Sequence, residues 1–140
     1  TDANMTRFMM TMDEALDLVL YALEKGKKGQ IFIKKTEGSS LDILTKCLSK
    51  IYGKKKHPIK IIGVRHGEKL HETLMNREER LGAKENKDYF VISPDLRDLN
   101  YDNYFLKGEK KMSKIQDYTS LNTKQLTEKE LEKKILKISN

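Results

Sequence analysis

The sequence predicts an α/β fold, built from capped amphipathic helices that alternate with short apolar strands. Three observations carry this. Helical stripes of apolar residues open behind capping boxes. Runs of four to six β-branched and aromatic residues stand between them. The order that results is helix, strand, helix, strand, helix, strand, helix, which is α/β or α+β.

Taken in order, Thr11-Met-Asp-Glu14 is a capping box, and Met12, Leu16, Val19, Leu20 and Leu23 form a stripe behind it. The spacing predicts a helix over 12–25, with Gly26 as a left-handed stop. Residues 30–34, Gln-Ile-Phe-Ile-Lys, predict a strand. Ser39 or Ser40 opens the next helix, with Leu41, Leu44, Leu48 and Ile51 on one face and Gly53 at its end. Cys47 lies beside that face and is expected as a core thiol. Residues 59–64, Ile-Lys-Ile-Ile-Gly-Val, predict a second strand. After the polar turn Arg65-His66-Gly67-Glu68, the spacing predicts a helix over 69–80 with Leu70 and Leu74 inward. Residues 88–92 predict a third strand, broken by Pro94. Residues 95–125 have little period and are expected to be irregular. Thr127-x-x-Glu130 is a second capping box, and Leu131, Ile135 and Ile138 predict a final helix over 128–138.

Composition limits the function. The chain has 140 residues, 37% of them hydrophobic and 35% charged, with a formal net charge of +7. That allows one lean core. Nothing approaches the ~20 apolar residues of a membrane span, and no secretory signal pattern is present. A single cysteine excludes an internal disulfide framework and favours a reducing compartment, so a cytoplasmic location is expected. The chain opens on Thr1 rather than Met, the pattern of a segment from a longer chain. The positive charge suits an anionic partner, although most lysines alternate with acids as on a solvated helix face. The runs Lys54–Lys56 and Lys107–Lys111 flank glycines and read as loop tips. Nucleic acid is disfavoured, because aromatic residues are 7% and no zinc-finger, RNA-binding or basic-helix pattern occurs. His57, His66 and His71 lack metal-ligand spacing.

The sharpest local feature is Ile59-Lys-Ile-Ile-Gly-Val-Arg65-His66-Gly67-Glu68-Lys69-Leu70. A cation, a glycine and a carboxylate follow an apolar run at once. Arginine offers a planar fork of donors for phosphate oxygens, and glycine lets a ligand approach the backbone. On spacing alone, an Arg65–Glu68 salt bridge explains the pattern equally well. Arg7 stands among apolar neighbours in Met5-Thr-Arg-Phe-Met-Met10, so its head needs solvent, an acid or an anion. Tyr21-x-x-x-Lys25 and Tyr52-x-x-x-Lys56 have a dehydrogenase-like spacing, but neither stands in a suitable element. No Gly-x-x-Gly-x-x-Gly loop follows a strand, so no dinucleotide fingerprint is present.

Three blocks carry a resemblance. They are Met5-Thr-Arg-Phe-Met-Met-Thr-Met-Asp-Glu-Ala-Leu-Asp-Leu-Val19, then Arg65-His-Gly-Glu-Lys-Leu-His-Glu72 with Arg77-Glu-Glu79, then Pro94-Asp-Leu-Arg-Asp-Leu-Asn-Tyr101. In this order they resemble the C-terminal portion of nucleotide-sugar 4-epimerases and 4,6-dehydratases. These are extended short-chain dehydrogenases/reductases of the polysaccharide-biosynthesis branch. The resemblance implies that residues 1–37 end a Rossmann-type NAD(P)-binding domain, giving its last helix and strand. Residues 38–106 would then form the small α+β nucleotide-sugar-binding domain, and 107–140 a C-terminal extension and helix. It implies that Arg7 and Arg65 grip the diphosphate of a UDP-sugar and that Glu68 holds ribose hydroxyls, with His66 and Lys69 as neighbours. Arg97 and Tyr101 receive no role.

By the same resemblance NAD or NADP is the cofactor, bound by an upstream half that also supplies the catalytic Tyr and Lys. No catalytic, cofactor-binding or metal-binding residue is expected within these 140, and the segment alone is expected to be inactive. The complete enzyme is expected to be a homo-oligomer. The implied reaction oxidises sugar C4. It then ends in 4-epimerisation, as in UDP-glucose 4-epimerase, or in water loss across C5–C6, as in UDP-N-acetylglucosamine 4,6-dehydratase/5-epimerase. The alternative is a non-catalytic remnant or accessory protein that acts through its last helix.

Overall fold

The computed structural model describes residues 2–53, 58–94 and 114–138. The expectations for Lys54–Lys56, His57, Arg97, Tyr101 and Lys107–Lys111 lie outside the described residues. The architecture is mixed α/β with small sheets: β1 (Thr6–Phe8), α1 (Met12–Lys25), β2 (Ile31–Lys34), β3 (Gly38–Ser40), α2 (Leu41–Tyr52), β4 (Thr73–Met75), α3 (Arg77–Gly82), β5 (Lys84–Glu85), β6 (Tyr89–Ile92), β7 (Tyr118–Thr119) and α4 (Glu128–Ile138). The chain folds as two compact units, residues 1–15, 36–73 and 119–140 in one and 16–35 and 74–118 in the other.

The first unit is built on α2 and α4. Ser40 caps α2, its hydroxyl accepting from the Ile43 amide. Thr127 and Glu130 exchange capping hydrogen bonds at the start of α4, as the sequence predicts. The facing stripes bury Cys47, Leu126 and Leu131, with Met9, Ile43, Leu44 and Ile135 packed around them. Cys47 is a core thiol as expected. Burial pushes its pKa up, helped by the Glu128 and Glu132 carboxylates. Against α2, β1 pairs antiparallel with β3, Arg7 opposite Ser39 and Phe8 opposite Gly38. Gly38 allows close packing there, since a Cβ would stand 2.4 Å from the Ser120 carbonyl oxygen.

The Thr11–Glu14 capping box is also present. Burial raises the Glu14 pKa, but the Thr11 amide and the Lys134 ammonium 2.9 Å away outweigh it and hold the carboxyl below its ordinary 4.5. A depressed carboxylate contributes stability that is complete above the unfolded value and is lost as pH falls through the folded one. Stability will therefore drop as pH falls below 4.5, and Glu14→Gln will flatten that drop in acid-titrated urea unfolding. An unchanged slope would refute this role for Glu14.

The second unit holds a three-stranded antiparallel sheet in the order β2-β6-β5, with Phe32 opposite Val91 and Ile33 opposite Phe90. Tyr21 of α1 stacks on Tyr89 at 4.3 Å and meets Phe32 edge-on at 5.7 Å.

Three expectations need correction. Residues 59–64 form no strand, and Ile59, Ile61, Ile62 and Val64 are exposed. Their alternation suits a pleated surface, but no strand pairs with them among the described residues. Residues 69–80 are not one helix. Thr73–Met75 is β4, and α3 starts afresh at Asn76, whose side chain accepts from the Glu79 amide while Glu79 reaches back to the Asn76 amide. That capping box outcompetes continuation from upstream. Leu70 and Leu74 are consequently exposed, and Met75, 1% exposed, is the buried residue. Gly26 is not left-handed; the positive-φ glycines are Gly29, Gly63 and Gly67. Gly26 instead closes α1 through its amide on the Ala22 carbonyl, where a Cβ would approach that oxygen to 2.3 Å. The apolar stripe of α1 is exposed, Met12 at 74% and Leu23 at 77%. No helix among the described residues is long and apolar enough to cross a membrane.

Candidate functional site

The residues singled out from the sequence meet in the first unit. Residues 65–68 form a tight turn. The Glu68 amide donates to the Arg65 carbonyl at 3.0 Å, and the Arg65 amide donates to Glu68 Oε2 at 3.1 Å. Gly67 sits in this turn at φ +76°, with nothing within 4 Å of where a Cβ would stand. Such a position favours glycine and leaves the backbone open to approach.

The other oxygen of Glu68 faces Arg7. Arg7 Nη2 lies 3.6 Å from Glu68 Oε1, and Nε lies 3.7 Å from Glu72 Oε1. Arg7 Nη1 donates to the carbonyls of Thr6 at 2.8 Å and Leu70 at 3.3 Å. The guanidinium is thus oriented by two carboxylates and two carbonyls, with its side chain 22% exposed. One Glu68 carboxylate ties the head of Arg7 to the backbone of Arg65. The salt bridge that spacing suggested within 65–68 is therefore replaced by one between Arg7 and Glu68, 61 positions apart.

Arg65, His66 and Lys69 are exposed, and their side chains make no hydrogen bond or ion pair among the described residues. Chemically, the cluster offers one arginine, Arg7, fixed by two carboxylates, and a second, Arg65, whose side chain is uncommitted among the described residues. The planar donor fork of such a guanidinium matches carboxylate or phosphate oxygens. Two cavities lie elsewhere, about 350 Å³ beside Arg80 and Phe90 and about 180 Å³ beside Asp42 and Ile61; neither is lined by Arg7, Arg65 or Glu68.

The sequence reading missed Thr6, His71, Glu72 and Ser120. The Thr6 hydroxyl lies 2.8 Å from His71 Nδ1 and 2.7 Å from Ser120 Oγ, and the Phe8 amide donates to Glu72 Oε2 at 3.2 Å. His71 and Glu72 stand in the block that begins at Arg65, which is a signal. Nothing local marks Ser120.

Fold and site together define a mixed α/β protein with an arginine–carboxylate cluster around Arg7. Residues 1–94 match the family model described as polysaccharide biosynthesis protein, and residues 95–140 match that of polysaccharide biosynthesis protein C-terminal. The chain belongs to the polysaccharide biosynthesis protein family. It is 46% identical over 136 residues to the UDP-glucose 4-epimerase of Rickettsia akari, covering 97% of this chain and 40% of that protein. It is 44% identical over 138 residues to the UDP-glucose 4-epimerase of Rickettsia felis, covering 99% and 40%. Among solved structures it resembles Pen from Bacillus thuringiensis, with 32% identity and a TM-score of 0.79 over 98% of this chain and 38% of that one. The chain spans about two fifths of the length of the curated relatives it matches. The resemblance to the C-terminal portion of a nucleotide-sugar epimerase is thereby established.

Proposed function

We propose that this chain is the UDP-sugar-binding C-terminal part of an NAD(P)-dependent nucleotide-sugar epimerase or dehydratase, serving surface polysaccharide biosynthesis in the cytoplasm. Arg7 and Arg65 bind the diphosphate and Glu68 binds ribose hydroxyls, with His66 and Lys69 flanking. The observation that carries this is the Glu68 carboxylate, which joins the Arg65 turn to the Arg7 guanidinium. A diphosphate needs two cationic groups close together, and a carboxylate beside them suits a ribose.

The division proposed is 1–37 for the end of the cofactor domain, 38–106 for the sugar-nucleotide domain and 107–140 for the extension. The exposed α1 stripe suits burial against an upstream half of the same enzyme. NAD or NADP would be held there. The described residues offer the cofactor no Gly-rich loop between strand and helix, so none of this chain's groups is given a role toward it. The work of these residues is to bind and orient the nucleotide. The name of the Rickettsia relatives favours the 4-epimerase over the 4,6-dehydratase/5-epimerase. The accessory-protein reading has the last helix bind a partner, but Leu131 and Ile135 of that helix pack with α2 residues, which supports the enzyme reading, while Ile138 is exposed.

The test is to express the complete reading frame containing these residues and follow UDP-glucose and UDP-N-acetylglucosamine by proton NMR in heavy water. A galacto-configured product is expected. A new 6-deoxy methyl signal would make the enzyme a dehydratase, and silence from a folded protein with both sugars would overturn the reading.

A further inference from the structure

Two buried hydroxyls stand behind Arg7. Thr6 is 4% exposed and Ser120 is fully buried. Their oxygens are 2.7 Å apart. Ser120 Oγ also lies 3.0 Å from the Thr6 carbonyl oxygen and 2.9 Å from the Glu72 amide nitrogen. Thr6 Oγ1 lies 2.8 Å from His71 Nδ1.

One arrangement of protons makes every one of these contacts a hydrogen bond. The Glu72 amide can only donate and the Thr6 carbonyl can only accept. The single Ser120 proton therefore goes to that carbonyl. The Thr6 proton must then go to Ser120 Oγ, and Thr6 Oγ1 must accept from His71. His71 therefore carries a proton on Nδ1. The reverse order would set two oxygen lone pairs against each other at 3.0 Å, out of reach of water.

The same atoms hold Arg7. Its Nη1 shares the Thr6 carbonyl oxygen with Ser120. The Ser120 amide donates to the Glu72 carbonyl at 2.8 Å, and the Thr6 amide donates to the Leu70 carbonyl at 3.1 Å. Both carbonyls and the Glu72 carboxylate belong to the segment that cradles the guanidinium. Ser120 is itself tied down, since Gln125 Nε2 donates to its carbonyl at 2.8 Å.

We propose that the buried hydroxyl chain His71–Thr6–Ser120 is the positioning device of the anion-binding Arg7, which makes the C-terminal segment around Ser120 a working part of the nucleotide site. This rests on the reading that Arg7 binds the diphosphate. Thr6 and Ser120 are positioning residues and touch no ligand.

The test uses the product of the complete reading frame containing these residues, labelled with ¹⁵N, with UDP as the probe. Long-range proton–nitrogen NMR reads the His71 tautomer, and titration reads UDP affinity. The wild type is expected to show His71 protonated on Nδ1. Thr6→Val keeps the shape of the side chain but removes the hydroxyl. It is expected to move the proton to Nε2 and to weaken UDP binding about tenfold, the scale of one lost hydrogen bond. Thr6→Ser should restore both, which loss of packing alone would not allow. Ser120→Ala replaces Thr6→Val if thermal unfolding shows that the latter has lost its fold. A proton on Nε2 and none on Nδ1 in the wild type overturns the chain of donors. Undiminished affinity in Thr6→Val, where Arg7→Gln lowers it, overturns the positioning role alone. No effect of Arg7→Gln overturns the reading of Arg7, and the positioning role falls with it whatever tautomer is found.

Discussion

Arg7→Gln will destabilise the first unit by about 2 kcal/mol, because hydrogen bonds from a charged group are lost and two carboxylates are left without their cation. The side chain is 22% exposed and donates to the Thr6 and Leu70 carbonyls. Glutamine reaches neither set of partners with a charge. The contribution of Glu72 is the smaller, since its side chain is 45% exposed and water screens the pair. Arg7→Lys will recover little, because an ammonium cannot serve two carboxylates and two carbonyls as a planar fork does. Urea unfolding measures both variants. A cost below about 0.5 kcal/mol, the ordinary range for a surface substitution, would mean the arginine is not anchored as described.

Leu131→Ala will cost about 3 kcal/mol, the middle of the range for truncating a buried leucine. Leu131 is 2% exposed and fills the space between α2 and α4 with Cys47 and Leu126. Most of its neighbours lie on α2 and α4, whose packed faces limit collapse into the void. Net stabilities of domains are only ~5–15 kcal/mol, so this one side chain is a large share. Urea unfolding again measures it, and a cost under ~1 kcal/mol would show that α4 is not seated on α2 through this residue.

Helices α1, α2 and α4 were legible because both their signals are local. Thr11–Glu14 and Thr127–Glu130 start the chain turning, and the apolar period follows at once. The segment 59–64 was misread because a strand is a property of a pair. Ile59, Ile61 and Val64 have the right residue types, yet no neighbour engages their backbone among the described residues. The region after Lys69 was misread because Asn76–Glu79 is a local start signal lying inside a longer apolar period, and the nearer signal wins.

The site divides in the same way. The turn Arg65–Glu68 was legible, since a glycine and a carboxylate within four residues can close it unaided. The partner of Glu68 was not, because Arg7 lies sixty-one positions away and reaches it only after β1 has paired with β3. Ser120 was least legible of all. A serine in a polar stretch reads as solvated, and its meaning depends on Thr6, 114 positions upstream.

On the proposed function, Arg65 binds the diphosphate. Isothermal titration of the chain with UDP tests it most directly, comparing wild type with Arg65→Ala. The Arg65 side chain is exposed, so the variant keeps its fold. Arg65→Ala is expected to lose about 2 kcal/mol of binding, or roughly thirtyfold. Equal affinity in the two proteins, or no UDP binding by the wild type, would contradict it.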